Sequence, residues 1–244
     1  MPKFFYLFFV FLFASLLTKG QVVSLDDWDE IAKTDVRLLP KYGNIKKNND
    51  QKNIDWEFIK EVMEIDAFKG NRNLASDYYI QLGFEQLSKD DLKTAMYRFN
   101  QGYLLDSLNS NIYLGYGAVF LKVKNIEKAK NEFLAGLHIN SEHPDLLANY
   151  ADCLIHQYFL ISDFPLSQKQ RENSFLYVDS ALDYLNRSYQ INPNNSFTLS
   201  KLTMAYYIKE DCTQSLKFYD EYKKSKQKFL DSEFINILEK TCIR

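Results

Sequence analysis

The amino-acid sequence predicts an all-α fold, built as a solenoid of stacked helix pairs. A set of small and aromatic residues returns after 34 residues: Tyr79, Gly83, Ala95, Phe99 and Gly102 recur as Tyr113, Gly117, Ala129, Phe133 and Gly136. Such a period is typical of helix–turn–helix units that must stack on their neighbours to bury an apolar face. The chain of 244 residues also contains only 8 glycines and 5 prolines, which favours long helices.

The N-terminal segment has the pattern of an export signal. Lys3 precedes an uncharged, strongly apolar run from Phe4 to Leu17, which is shorter than the roughly 17 to 25 residues of a membrane span. Small residues at Thr18 and Gly20 would permit cleavage before Gln21. We therefore predict that residues 1–20 are a removed signal peptide and that the protein is exported, to a bacterial periplasm or outside the cell. The alternative is an uncleaved membrane anchor.

Residues 21–75 lack the repeat period and form a predicted N-terminal extension with two helices. The first is short and lies around Trp28 and Ile31, and the second spans Asp55 to Phe68. Between them we expect a turn at Leu39 to Asn44 and a mobile polar loop over Lys46 to Lys52.

The repeat domain is predicted over residues 76–244, and its first two units, 76–109 and 110–143, are regular. In the first unit one helix spans Ser76 to Ser88 and the next spans Leu92 to Leu104. Gly83 and Ala95 are the small residues at which these two helices would approach most closely. The second unit has the same pattern.

The third unit, 144–195, is longer than the others. Its second small residue is expected at position 163 but occurs at Ala181, so the unit carries 18 additional residues. We expect both helices to be lengthened into a projecting hairpin with Ile161 to Leu166 at its tip. Its bulky residues Phe159, Phe164, Pro165, Phe175 and Tyr177 either pack against one another or contact a partner. A fourth unit, 196–229, and a capping helix within 230–244 follow.

Charge and cysteine content limit the classes of function. Without Lys3 and Lys19 the 30 basic residues become 28 against 32 acidic ones, a net charge of −4, which offers no basic footprint for nucleic acid. After signal removal no membrane span is expected. Of the three cysteines, Cys153 has a core-like setting, whereas Cys212 and Cys242 either form a disulfide along one edge of the solenoid or remain free thiols.

Sequence motifs for catalysis are missing. No HExxH, GxSxG, phosphate-binding glycine loop or Cys-x-x-Cys occurs, and the three histidines, His138, His143 and His156, are too scattered for a metal site. We therefore predict a protein that is not an enzyme and needs no cofactor or metal.

The repeated residues resemble those of the tetratricopeptide repeat (TPR) family over roughly residues 76–244. Two phrases, Leu38 to Asn44 and Ala95 to Gln101, also resemble segments of uncharacterised secreted bacterial proteins of this kind. The family resemblance implies a right-handed solenoid that binds a protein or peptide in a concave groove lined by the first helix of each pair. The groove residues that it implies are Ile80, Phe84, Leu87, Leu114, Ala118, Leu121, Ile155, His156, Met204 and Tyr207.

The predicted groove is mostly apolar, and this leaves several interpretations open. It could accept an amphipathic helix or an extended peptide, or it could be filled by the protein's own segment from Val22 to Phe68. Alternative functions are a carrier of a lipid-like small ligand and an accessory subunit of a cell-envelope enzyme complex. The sequence indicates neither the identity of a partner nor the oligomeric state.

Overall fold

The structure, a computed structural model, describes residues 25–162, 168–225 and 227–243, and within these ranges it contains helices and turns but no β-strand. The α-helices are, in chain order, α1 Leu25–Thr34, α2 Asn49–Met63, α3 Arg72–Ser88, α4 Leu92–Leu105, α5 Asn111–Lys122, α6 Ile126–Ile139, α7 Pro144–Ser162, α8 Gln168–Ile191, α9 Ser196–Ile208, α10 Cys212–Lys223 and α11 Ser232–Cys242. The predicted all-α class is confirmed. The predicted signal peptide lies outside the described residues.

The helices from α3 to α10 form four pairs, and each pair packs on the next along the sequence. Glycines mark the closest approaches: a Cβ at Gly83 or at Gly115 would overlap the ring of Phe99, and one at Gly117 would overlap Phe133. The Phe99 ring of α4 therefore packs on both α3 and α5, and this contact connects the first helix pair to the second. This pairing confirms the predicted solenoid of antiparallel helix pairs.

Polar caps set where the helices begin. Asn71, Asp91, Asn125, Asn195 and Asp211 each accept a hydrogen bond from the backbone N–H three residues later, which satisfies a group with no partner inside the helix. The cap at Asn71 starts α3 at Arg72, four residues before the expected start at Ser76. The first pair is therefore longer at its N-terminal end than the repeat pattern predicts.

The third pair is extended, because α7 has 19 residues and α8 has 24, against 12 in α5. Packing inside this pair includes the ring of Tyr158 against the rings of Phe159 and Phe175. Phe159 and Leu160 are nevertheless 37% and 54% exposed. The aromatic residues of the hairpin thus divide between internal packing and the surface, and residues 163–167 lie outside the described part.

The N-terminal extension folds as α1, a short 3₁₀ segment at Val36–Leu38, a turn at Pro40–Asn44, and α2. The prediction of a loop over Lys46 to Lys52 is wrong in its second half, which is helical. Asn48 and Gln51 form a reciprocal capping box, so that α2 begins at Asn49. The predicted turn is unusual, since four consecutive residues from Lys41 to Asn44 have positive φ.

At the other end α11 packs on the last pair, with Phe234 and Leu238 buried. A disulfide joins Cys212 at the start of α10 to Cys242 at the end of α11, with a Cα–Cα distance of 5.2 Å. Cys153 is buried and free, and burial raises the pKa of its thiol to about 12. Within the described residues, no helix combines the length and the hydrophobicity needed to cross a membrane.

Candidate partner-binding surface

The predicted groove residues lie on the first helix of each pair, namely α3, α5, α7 and α9. We call the surface that these four helices share the first-helix face. Seven of the predicted residues are neither fully buried nor fully exposed: Phe84, Leu87, Leu114, Ala118, Leu121, Met204 and Tyr207. Phe84 rests on Phe99, at 5.1 Å between ring centroids, so part of its ring belongs to the core and part faces outward. His156 is exposed.

Two predicted residues are buried and contribute little surface for a partner, and a third packs part of its ring on a neighbouring helix. Ile80 is 5% exposed and faces Gly102 of α4, and Ile155 is 1% exposed in the core of the third and fourth pairs. Tyr207 is half-buried with its ring against Phe234 of α11, at 5.4 Å between centroids. Helical periodicity places Ile80 and Ile155 near the face, but neighbouring helices cover these two residues. Their assignment to a binding groove is therefore corrected to packing.

A repeated polar contact borders the first-helix face at one end of the helices. Asn109 donates to Asp77 Oδ1 at 2.7 Å, and Asn195 donates to Asp145 Oδ1 at 2.7 Å. Between them His143 Nε2 lies 2.8 Å from Asn111 Oδ1. The accepting residues 77, 111 and 145 are spaced by 34 residues, so the contact follows the repeat period. We call these three contacts the inter-repeat ladder.

Charged side chains also bridge neighbouring units. Asp152 of α7 and Lys201 of α9 form an ion pair at 2.7 Å, and both are mostly buried. Lys122 at the end of α5 pairs with Asp90, in the turn after α3, at 2.6 Å. Sequence reasoning missed Lys201, although its spacing of three residues before Met204 places it beside the predicted stripe. The face is therefore apolar in its first half and mixed in its second.

The N-terminal extension contacts a different side of the repeats. The side-chain hydrogen bonds and ion pairs that join Asp29, Asp35, Arg37, Leu39 and Lys41 to the repeats end on α4, α5 and α6. On α5 the contacted residue is Tyr116, and an α-helix turns about 100° per residue, so Tyr116 points away from Leu114, Ala118 and Leu121. These bonds hold this part of the extension on the side of the second helices, whereas α2 contacts Tyr79 of α3 at the end of the stack.

Asn100 of α4 is the centre of this intramolecular contact. Its amide nitrogen donates to the carbonyls of Arg37 and Leu39, at 2.8 and 3.0 Å. Its amide oxygen accepts from Lys41 N at 2.8 Å and from the Tyr116 hydroxyl at 2.7 Å. Asn100 and Tyr116 are fully buried, so one side chain satisfies three backbone groups of a segment distant in sequence.

An ion pair reinforces the same contact. Lys41 Nζ lies 3.2 Å from Glu132 of α6, and both side chains are less than a fifth exposed. Burial raises the pKa of Glu132, and the neighbouring Lys41 partly opposes that rise. A second ion pair, Asp29 with Lys128 at 2.7 Å, ties α1 to the same helix. The extension is therefore anchored to two successive repeats.

The histidines do not gather into one place. His143 belongs to the inter-repeat ladder, and burial lowers its pKa. In the described parts of the protein, no group of three or more His, Cys, Asp or Glu side chains is placed to hold a metal ion.

No protein-family model and no curated protein matches this sequence. Solved structures with a similar arrangement include MamA, with 14% identity over 74% of this chain and 95% of MamA and a TM-score of 0.44. PilF of Pseudomonas aeruginosa has 17% identity over 70% of this chain and 88% of its own, with a TM-score of 0.36. YrrB, described as a TPR protein with an unusual peptide-binding site, has 20% identity, coverages of 64% and 88% and a TM-score of 0.33. At these identities and scores the likeness concerns the arrangement of helices alone, and in that arrangement the protein resembles TPR proteins.

Proposed function

We propose that this protein is an exported, non-enzymatic scaffold that binds a protein partner on its first-helix face. The partner would be an amphipathic helix or an extended peptide, because the face offers a row of half-exposed apolar side chains bordered by polar groups. Phe84, Leu121 and Met204 are the residues that we expect to contribute most contact area.

The observation that carries this proposal is the position of the extension. A large apolar strip on an exported protein invites association, and the protein's own N-terminal segment is the nearest candidate to cover it. Residues 25–44 instead bind α4, α5 and α6 through Asn100, Tyr116 and Glu132. The first-helix face is thus left for another molecule.

Export is supported by two independent features. The pattern of residues 1–20 is that of a signal peptide, and disulfides such as Cys212–Cys242 persist in oxidising compartments. The location would be tested by fractionating source cells and determining the N-terminal residue of the mature protein. Gln21 as that residue would support the proposal, whereas an intact residue 1 in the cytoplasmic fraction would contradict it.

The binding surface is tested with a variant that obstructs it. Ala118 lies in the middle of α5 and is half-exposed, so Ala118→Arg places a bulky charge on the face without removing a large buried group. Ala67→Arg, at an exposed position outside this face, is the matched control. Both proteins would be purified from source cells after cross-linking and compared by quantitative mass spectrometry. We expect a partner that is lost with Ala118→Arg and kept with Ala67→Arg.

The same purification separates the alternatives. Loss of the partner in both variants, or in neither, would contradict binding on the first-helix face. A lipid retained by the wild-type protein in native mass spectrometry, without a protein partner, would favour the carrier instead. Co-purification of an envelope enzyme whose activity depends on this protein would identify an accessory subunit.

A further inference from the structure

An aperiodic part of the N-terminal extension and the second helix of the first repeat come together in the structure. The turn around Leu38 to Asn44 packs on the α4 segment from Ala95 to Gln101, through Asn100 and through the Tyr97 hydroxyl, which donates to Asp35 at 2.7 Å. A pocket of about 240 Å³ lies at their junction, on the side of the second helices. Its lining residues are Arg37, Tyr42, Thr94, Tyr97, Arg98 and Gln101.

Arg37 is held in place before any ligand arrives. Its Nε and Nη2 groups donate to the two oxygens of Asp35, each at 2.8 Å, and its guanidinium lies 4.6 Å from the centre of the Tyr97 ring. Among the described residues, its Nη1 group has no hydrogen-bond acceptor. A guanidinium held in this way, with its Nη1 group available, is a good donor to an oxyanion, because binding costs little further side-chain conformational entropy.

Arg98 is the second cation of the pocket, and it is not neutralised. Its Nη1 donates to Gln101 at 2.9 Å, and its guanidinium faces the Tyr79 ring at 5.8 Å. Within the part of the protein that the structure describes, no carboxylate lies within 4.0 Å of it. Asp35 balances one of the two guanidinium charges, and Asp91 and Asp55 act at longer range on the pocket residues Tyr97 and Tyr42.

The backbone beside the pocket is strained. Lys41 and Tyr42 have φ of 57° and 54°, in the left-handed region that residues with a Cβ avoid, and Tyr42 thereby reaches the pocket. Such strain persists only where surrounding contacts enforce it, and it concentrates at sites of function. Here Asn100, Tyr116 and Glu132 enforce it through Lys41.

We propose that this pocket binds a carboxylate group of a protein partner, supplied by the partner's C-terminus or by one of its acidic side chains. The guanidinium of Arg98, which has no ion-pair partner among the described residues, and the Nη1 edge of Arg37 are the donors from which a carboxylate would accept. The rings of Tyr42 and Tyr97 would cover the apolar part of the bound group. This site lies on the second-helix side and is separate from the first-helix face.

The test uses the full mature protein and three short peptide probes. N-acetyl-Ala-Ala-Phe carries a terminal carboxylate, N-acetyl-Ala-Asp-Ala-amide carries a carboxylate only on its aspartate, and N-acetyl-Ala-Ala-Phe-amide carries none. The nuclear magnetic resonance signals of the arginine Nε–H groups would be followed during titration. We expect saturable shifts of Arg37 and Arg98 with one or both carboxylate probes and none with the amide. The carboxylate probe that binds more tightly shows whether a C-terminus or an acidic side chain is the preferred ligand.

Charge-removing variants make the outcome specific. Arg98→Gln should weaken binding at least about tenfold, because hydrogen bonds to a charged group are the strong ones. Arg98→Lys keeps the charge but not the planar arrangement of donors, so its affinity should lie between those of the wild type and Arg98→Gln. Arg187→Gln, at an exposed arginine of α8, is the matched control and should bind like the wild type.

The proposal is overturned if neither carboxylate probe produces saturable shifts, or if the neutral amide produces equal shifts. Unchanged affinity in Arg98→Gln would overturn it as well. Inorganic phosphate that binds more tightly than both carboxylate probes would overturn the assigned ligand class.

Discussion

Three turns between paired helices place a residue other than glycine in the left-handed region. Asp90, Lys124 and Glu210 have φ of 58°, 61° and 60° and occupy the same position of the first, second and fourth units. Each is followed by the residue that caps the next helix, so the geometry of the turn sets the start of the second helix. A side chain in this conformation costs about 1 kcal/mol, which each unit tolerates.

Lys124→Gly should therefore stabilise the protein by up to about 1 kcal/mol, because glycine adopts positive φ without steric cost. Lys93→Gly, at an exposed position inside α4, is the matched control and should destabilise by about 1 kcal/mol. The free energy of unfolding from urea titration measures both. Destabilisation by both substitutions would contradict the role of backbone conformation at Lys124.

Asn100 is the residue on which the extension most depends. Asn100→Ala would remove the donor to the Arg37 carbonyl. It would also remove one of two donors to the Leu39 carbonyl, which keeps the Tyr42 N–H, and one acceptor from Lys41 N. We expect a loss of about 3 kcal/mol, since buried polar groups without partners are costly. Hydrogen exchange of the Lys41 amide should accelerate at the same time. The exposed Asn131→Ala on α6 is the control, and an equal loss there would contradict the assignment.

Between elements, the inter-repeat ladder is the contact that repeats most regularly. Asn109 and Asn195 donate through an amide, whereas the second step uses His143. The neighbouring Leu146 N–H donates to His143 Nδ1, so the ring is neutral with its proton on Nε2. Burial lowers the pKa of His143 below its usual 6.5, because a protonated ring would lose its hydration, and the nearby carboxylate of Asp145 opposes this only in part.

Protonation of His143 in the inter-repeat ladder makes the free energy of unfolding depend on pH. A folded-state pKa below the unfolded value means that the unfolded protein binds more protons, so His143 contributes stability above pH 6.5 that is lost as the pH falls below it. The melting temperature should fall between pH 7 and pH 5. His143→Asn, which copies the other two steps, should keep the ladder and reduce this fall. An unchanged pH dependence in the variant would assign the effect to other groups.

Protonation of Asp35 should cause a second loss of stability, at lower pH than that of His143. Hydrogen bonds from Arg37 and Tyr97 hold the pKa of Asp35 at about 2, below the usual 3.8. Its stabilisation is full above pH 4 and is lost as the pH falls toward 2. Because the pair is partly exposed and screened, we expect a contribution of about 1 kcal/mol. Asp35→Asn should lower the stability at pH 7 by that amount, and the difference from the wild type should shrink progressively as the pH falls from 4 toward 2.

At the scale of the molecule, both ends of the repeat stack are closed. At the N-terminal end the ring of Phe58 in α2 packs edge-on against Tyr79 of α3, at 5.4 Å between centroids. At the C-terminal end α11 covers the last pair and is fastened by the Cys212–Cys242 disulfide. A repeat stack needs such caps, because a terminal unit has a neighbour on one side only.

Reduction of the disulfide should loosen the C-terminal end. We expect Cys212→Ser to cost about 2 to 4 kcal/mol, because the unfolded state is no longer constrained by the closed loop. Hydrogen exchange should accelerate in α11 and remain slow in α4 and α5. Cys153→Ser, at the buried free thiol, is the control and should not alter the response to reductant. Uniform acceleration along the whole protein would contradict a local effect of the disulfide.

The sequence by itself determined the helix pairs, their period and the lengthened third unit, because these depend on neighbours three, four or 34 residues apart. It could not show that Gly102, by lacking a side chain, lets Ile80 pack closely against α4, which buries one residue of the predicted groove. Only the tertiary structure decided where the extension lies, because Asn100, Tyr116 and Glu132 are far from Lys41 in sequence. The same folding brought Arg37 beside Arg98. Contacts of this kind follow no local spacing, and they decide which faces of the solenoid remain free for a partner.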